Sequence, residues 1–121
     1  MKPFLKLSLL TFIVTQTGIA QKYDDALISQ NSEINFGKTQ KRGIKKNNIT
    51  YYVENDLQTI SAYKRNKLKW QTNVISVCGK PKKGQPEIRY VGYNSDKLLI
   101  VMGKHNFAEI DVNNGLTTLV G

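Results

Sequence analysis

Cysteine, histidine and tryptophan each occur once in the 121 residues, and 9 acids stand against 18 Lys and Arg. A single Cys excludes an intramolecular disulfide framework and any cysteine-rich zinc site. A single His excludes a His/His acid–base pair and every metal motif that needs two imidazoles. The chain contains no Gly-x-Gly-x-x-Gly, no P-loop, no Cys-x-x-Cys and no Gly-x-Ser-x-Gly, so the usual scaffolds of nucleotide, dithiol and serine-hydrolase chemistry are missing. Its length allows one domain, or one domain with a tail.

What is present begins with an export pattern. Lys2 and Lys6 precede the apolar run Leu7–Val14, and Gly18-Ile19-Ala20 places small residues before Gln21. That order is the layout of a secretory signal peptide over residues 1–20, and its apolar run is far short of the roughly 20 residues that span a bilayer. The expected location is the bacterial periplasm or the secreted medium. The first twenty residues hold two cations and no acid, so residues 21–121 retain 16 basic against 9 acidic side chains. Cys78 would then be an unpaired thiol in an exported chain, which calls for burial or an intermolecular disulfide.

Composition divides the remainder. Residues 21–48 contain only 7 apolar residues of 28, against 30 of 73 in residues 49–121. So little apolar surface predicts a polar, exposed arm over 21–48 with one short strand at Glu33–Phe36. The arm ends in Lys38, Lys41, Arg42, Lys45 and Lys46, five cations with no acid among them. No aromatic residue interleaves with them, so a base-stacking surface is not indicated.

From Ile49 onward the pattern is β, with period-two alternation and turn signals every eight to ten residues. Strands are expected over 49–54, 57–63, 68–78, 87–93, 98–103, 106–112 and 117–120. Leu68, Trp70, Thr72 and Val74 would share one face, with a bulge near Asn73–Ile75 where Ile75 and Val77 change phase. Leu98–Gly103 is the most apolar run and the expected central strand. Asn113-Asn114-Gly115 signals a type I′ hairpin. Gly79–Pro86, with Lys80, Lys82 and Lys83, must be a loop. No helix of substance is expected. The fold class is all-β: a small antiparallel meander of six to seven strands, half-open barrel or sandwich.

The stretches Tyr51–Trp70 and Leu99–Thr118 share an order of apolar strand, polar turn, second strand, polar hairpin and third strand. Ile60-Ser-Ala62-Tyr63 followed by Lys67-Leu68-Lys69-Trp70, and Glu109-Ile110-Asp111-Val-Asn-Asn114-Gly115, resemble the blade repeats of quinoprotein-type β-propellers. The first copy lacks the family's Asp and Gly and the second lacks its Trp. The resemblance implies two blade-like units. A propeller needs about four to eight blades, so it also implies self-association or a partner to cover the sheet edges. It carries no quinone or metal site, because no residue here matches one.

The chemistry on offer points to binding. His105 stands in a turn and nothing in the spacing brings it to Cys78. The pairs Glu54/Asp56 and Glu109/Asp111 are i,i+2 carboxylates that a strand places on one face, where they would balance nearby Lys. The expectation is a non-catalytic exported protein with no cofactor and no metal. It would engage a protein with an acidic surface, such as a toxin it neutralises or an envelope complex it accompanies. The candidate contacts are Lys38, Lys41, Arg42, Lys45, Lys46, Tyr52, Lys80, Lys82 and Lys83. Tyr51 and Tyr52 are adjacent, so one of them should face outward and offer a flat aromatic surface. The alternatives are a polyanion- or glycan-binding envelope module and, third, a small basic hydrolase.

Overall fold

The computed structural model describes residues 23–121; the expected signal segment, residues 1–20, lies outside the described residues. Ten strands form: β1 (Ile28–Ser29), β2 (Glu33–Asn35), β3 (Gly43–Lys46), β4 (Ile49–Val53), β5 (Thr59–Lys64), β6 (Lys67–Asn73), β7 (Ile88–Asn94), β8 (Lys97–Met102), β9 (Asn106–Asp111) and β10 (Thr117–Leu119). They build two five-stranded sheets, with orders β1-β3-β4-β5-β6 and β10-β9-β8-β7-β2. Each is a four-stranded antiparallel meander with one short strand on its flank; β1 runs parallel to β3 and β2 antiparallel to β7. The sheets do not close into a barrel, and the protein is all-β. The most apolar run does become the central strand, β8, of the second sheet.

Register explains the core. Ile44, Tyr51, Ala62 and Trp70 align across the first sheet, and Ile34, Val91, Ile100 and Ala108 across the second. Alternate residues of each strand share a face, so these rows point inward and belong to a single buried cluster with Leu98, Met102 and Ile110. Fully burying a side chain of this size contributes about 1.5–3 kcal/mol. Trp70 ties the sheets together: its Nε1–H donates to the carbonyl of Val112 at 2.8 Å. A Cβ on Gly115 would sit 2.8 Å from its ring, so only glycine lets the β9–β10 turn approach.

The polar segment before Ile49 is not an exposed arm. Its described part supplies β1, β2 and β3, and Ile34 and Ile44 are 2% and 0% exposed. One inward side chain per short strand is enough once backbone pairing with β7 and β4 satisfies the peptide groups. Tyr23 then lies over the outer face of the first sheet, its ring 5.7 Å from that of Tyr52 and 5.3 Å from that of Tyr63. Gly43 permits the same close layering, since a Cβ there would meet Ile28 at 2.7 Å.

Three local expectations change. The phase switch at residues 73–75 is a short helix, α1 (Val74–Cys78), not a bulge; Asn73 caps it by accepting the Ser76 N–H at 2.9 Å. The bulge lies earlier. Ala62 pairs with Trp70 while Tyr63 pairs with Leu68, which leaves Lys69 as the extra residue. It reverses the phase of β6, turning Trp70 inward and Leu68 out to 51% exposure. Asn113-Asn114-Gly115 is not a two-residue hairpin either: of the three only Gly115, at φ 78°, is left-handed. Asp111 instead organises a longer turn, its carboxylate accepting the Asn113 N–H and its carbonyl the Gly115 N–H, both at 2.8 Å. The paired left-handed residues of a type I′ turn stand at Asn47-Asn48 and Arg65-Asn66.

Candidate binding surface

The nine residues expected to make contacts do not form one surface. Lys38 is exposed beyond β2. Lys41 donates from Nζ to the carbonyl of Ala26 at 2.7 Å. Arg42 is a structural clamp. Its guanidinium donates to the carbonyl of Val53 at 2.8 and 3.2 Å and to that of Glu54, and it lies 6.0 Å from the Tyr52 ring centre. Tyr52 is 6% exposed. Both Tyr51 and Tyr52 are therefore interior, contrary to expectation, because Tyr23 and Arg42 cover the face that would have been open. Lys80, Lys82 and Lys83 are exposed on a loop that folds back on the β8–β9 turn, where the Lys83 carbonyl accepts the Lys104 N–H at 3.1 Å.

Lys45 and Lys46 gain new neighbours instead. In an antiparallel meander, alternate hairpin tips lie at the same end of the sheet. Register places Lys46, Ile49, Lys64 and Lys67 in one row, with the tips Asn47-Asn48 and Arg65-Asn66 beyond it. Lys45, Lys46, Lys64, Arg65, Lys67 and Lys69 thus gather at one end of the first sheet, and residues 45–50 and 63–69 contain no acid. The four cations of the β5–β6 hairpin border a shallow depression around Leu68, which the Lys69 bulge has turned outward. Lys64, Arg65, Lys67 and Lys69 went unnoticed as contacts because their run is broken by a turn. The meander rule, that turns two apart share an end, was the signal that unites them with Lys45 and Lys46.

Beside this patch lies a cleft of about 400 Å³ between the two tips. Lys45, Thr50 and Asn48 form one side, Arg65 and Asn66 the other, with Tyr23 and Asp25 at its border. Thr50 is 2% exposed, and its hydroxyl donates to that of Tyr23 at 3.2 Å.

The carboxylates and the thiol have structural surroundings. Glu54 accepts from the Tyr63 hydroxyl at 2.9 Å. Partial burial works against ionisation of Asp56, but bonds from the N–H groups of Gln58 and Thr59 and from the Thr59 hydroxyl outweigh it and hold the carboxyl below its usual range. Burial pushes the Cys78 thiol up. It ends α1 half-buried, not inside a strand. Among the described residues, no group of three His, Cys, Asp or Glu side chains is gathered that could hold a metal ion, and no helix is long and apolar enough to cross a membrane. Compared with known proteins, the chain matches no family model, no curated protein and no solved structure.

Proposed function

We propose that this is an exported, non-catalytic binding protein that engages an acidic face of a protein partner through the basic end of its first sheet. The observation that carries the reading is Leu68, 51% exposed within a ring of Lys64, Arg65, Lys67 and Lys69. An apolar centre with a charged rim is the anatomy of a protein interface, whereas a polyanion needs only the charge. Export rests on the layout of residues 1–20. The likeness to propeller blades rests on the motif residues around Trp70 and Asp111 alone.

The test is affinity capture from native extract with the whole chain as bait, at low and high salt, beside Leu68→Ser and a variant with Lys64, Lys67 and Lys69 changed to Gln. One stoichiometric protein held at both salts and lost with Leu68→Ser supports the reading. Recovery of only nucleic acid or other polyanions, released by salt and indifferent to Leu68→Ser, would overturn it in favour of the polyanion-binding alternative.

A further inference from the structure

We propose that the cleft between the two hairpin tips seats a single carboxylate of that acidic partner, an inference that rests on the binding reading above and names the group recognised. Four features support it. Lys45 and Thr50 are cross-strand neighbours, so their side chains share the outer face and reach the cleft from the same side. Thr50 donates to the Tyr23 hydroxyl, so the proton of Tyr23 itself remains for a further acceptor. Thr50 is almost wholly buried, which fixes that hydroxyl pair in place.

Arg65 supplies the third feature. It occupies the first left-handed position of a type I′ turn, at φ 54°, where Gly has no Cβ to conflict and Asn, whose short amide bonds the local backbone, is better suited than Arg. The arginine at this position brings a planar guanidinium fork to the cleft wall, the geometry that pairs with a carboxylate through two parallel bonds. The fourth feature is Asp25. Its charge offsets one of the two cations, Lys45 and Arg65, that line the cleft with it. A single positive charge is left, which matches a monoanion and disfavours a doubly charged phosphate.

The test follows backbone amide resonances of the whole, isotope-labelled chain during titration with the singly charged acetyl-glutamate amide, its glutamine analogue and inorganic phosphate. The glutamate is expected to shift the amides of Asn48, Arg65 and Asn66 saturably, and the glutamine to leave them in place. Arg65→Asn should weaken glutamate binding about tenfold while raising the melting temperature by a few degrees, because it relieves the turn. Lys45→Gln, on a regular strand, should weaken binding without that gain. Equal shifts from the glutamine analogue, stronger binding of phosphate than of the glutamate, or unchanged binding in Arg65→Asn would each overturn the proposal. If the cleft ignores the glutamate while Leu68→Ser still abolishes capture of the partner, the cleft proposal falls and the binding reading stands. If the cleft binds the glutamate but Leu68→Ser does not disturb capture, the failure lies with the broader reading.

Discussion

The two sheets have the same strand order but different surroundings. In the first, the outer face is interior: Thr50, Tyr52, Ser61 and Tyr63 are all buried, beneath a layer to which Tyr23 and Arg42 belong. In the second, the outer face carries Tyr90, Leu99, Val101 and Phe107, none of them buried, with Phe107 at 47% exposure. Their turns differ as well. The β3–β4 and β5–β6 tips of the first sheet and the strand ends beside them carry cations and no acid, whereas the β7–β8 tip of the second holds Asp96 beside Lys97, and Lys97 lies across the strands from Asp111. A few residues of a polar leading segment therefore suffice to convert one sheet face into interior, and the lysines at the strand ends, with Arg65 in the turn, give one sheet a basic end.

The largest expected effect comes from removing the link between the sheets. Trp70→Ala deletes the ring packed on Gly115 and leaves the Val112 carbonyl without its donor, which should cost about 3–5 kcal/mol. Urea unfolding of the variant measures it. A loss below about 1 kcal/mol, well under the range seen for core truncations, would mean that the sheets hold together without this contact. Next come Ile34→Ala and Ile44→Ala. If the leading segment is part of the core, each should cost about 2–5 kcal/mol; if it were a dangling arm, neither would shift the unfolding midpoint.

How much of this contrast the sequence conveys depends on where the signal resides. Every strand from β4 to β10 is legible, its ends within two residues except that β6 stops at Asn73, five residues before the expected Cys78; alternation marks the longer strands, and β8 stands out by its apolar run. Strands β1 and β3 are not, since two to four residues carry no period and Ile44 is a lone inward side chain among lysines. Helix α1 was hidden by its length. Its cap, Asn73, and its terminal glycine, Gly79 at φ 89°, were readable, but five residues between them look like the end of a strand. The bulge at Lys69 was hidden for a related reason: one extra residue leaves no mark in composition, yet it decides that Leu68 faces solvent and so creates the apolar centre of the candidate surface. The burial of Tyr52 could not be read at all without placing Tyr23, which is far away in sequence from the strands it covers.

A smaller effect tests the covering layer itself. Tyr23→Ala removes two ring contacts and the acceptor of the Thr50 hydroxyl, and should cost about 1–2 kcal/mol. Phe107→Ala on the outer face of the second sheet should stay within about 0.5 kcal/mol of the parent, as exposed positions do. Chemical denaturation of the two variants side by side measures the asymmetry, and equal costs would erase it.

The smallest effect is nil at neutral pH and separates the sheets only in alkali. Burial, reinforced by the neighbouring Tyr93, pushes Tyr51 from the ordinary 10 up to about 12. Burial and the bond to Glu54 do the same for Tyr63. An acid whose pKa is raised by folding keeps its proton longer in the native state, so between these values the unfolded chain binds fewer protons and stability falls as pH rises. The contribution of both tyrosines is complete below pH 10 and lost as pH passes through about 12. In the second sheet Tyr90 is also raised, but chiefly by its hydrogen bond to Glu33. Glu33→Gln should therefore return Tyr90 toward its ordinary range while Tyr51 and Tyr63 keep their late titration, followed by tyrosinate absorbance. If Glu33→Gln instead advanced the ionisation of all three, the first sheet's tyrosines would owe their protons to a shared charge and not to the layer that buries them.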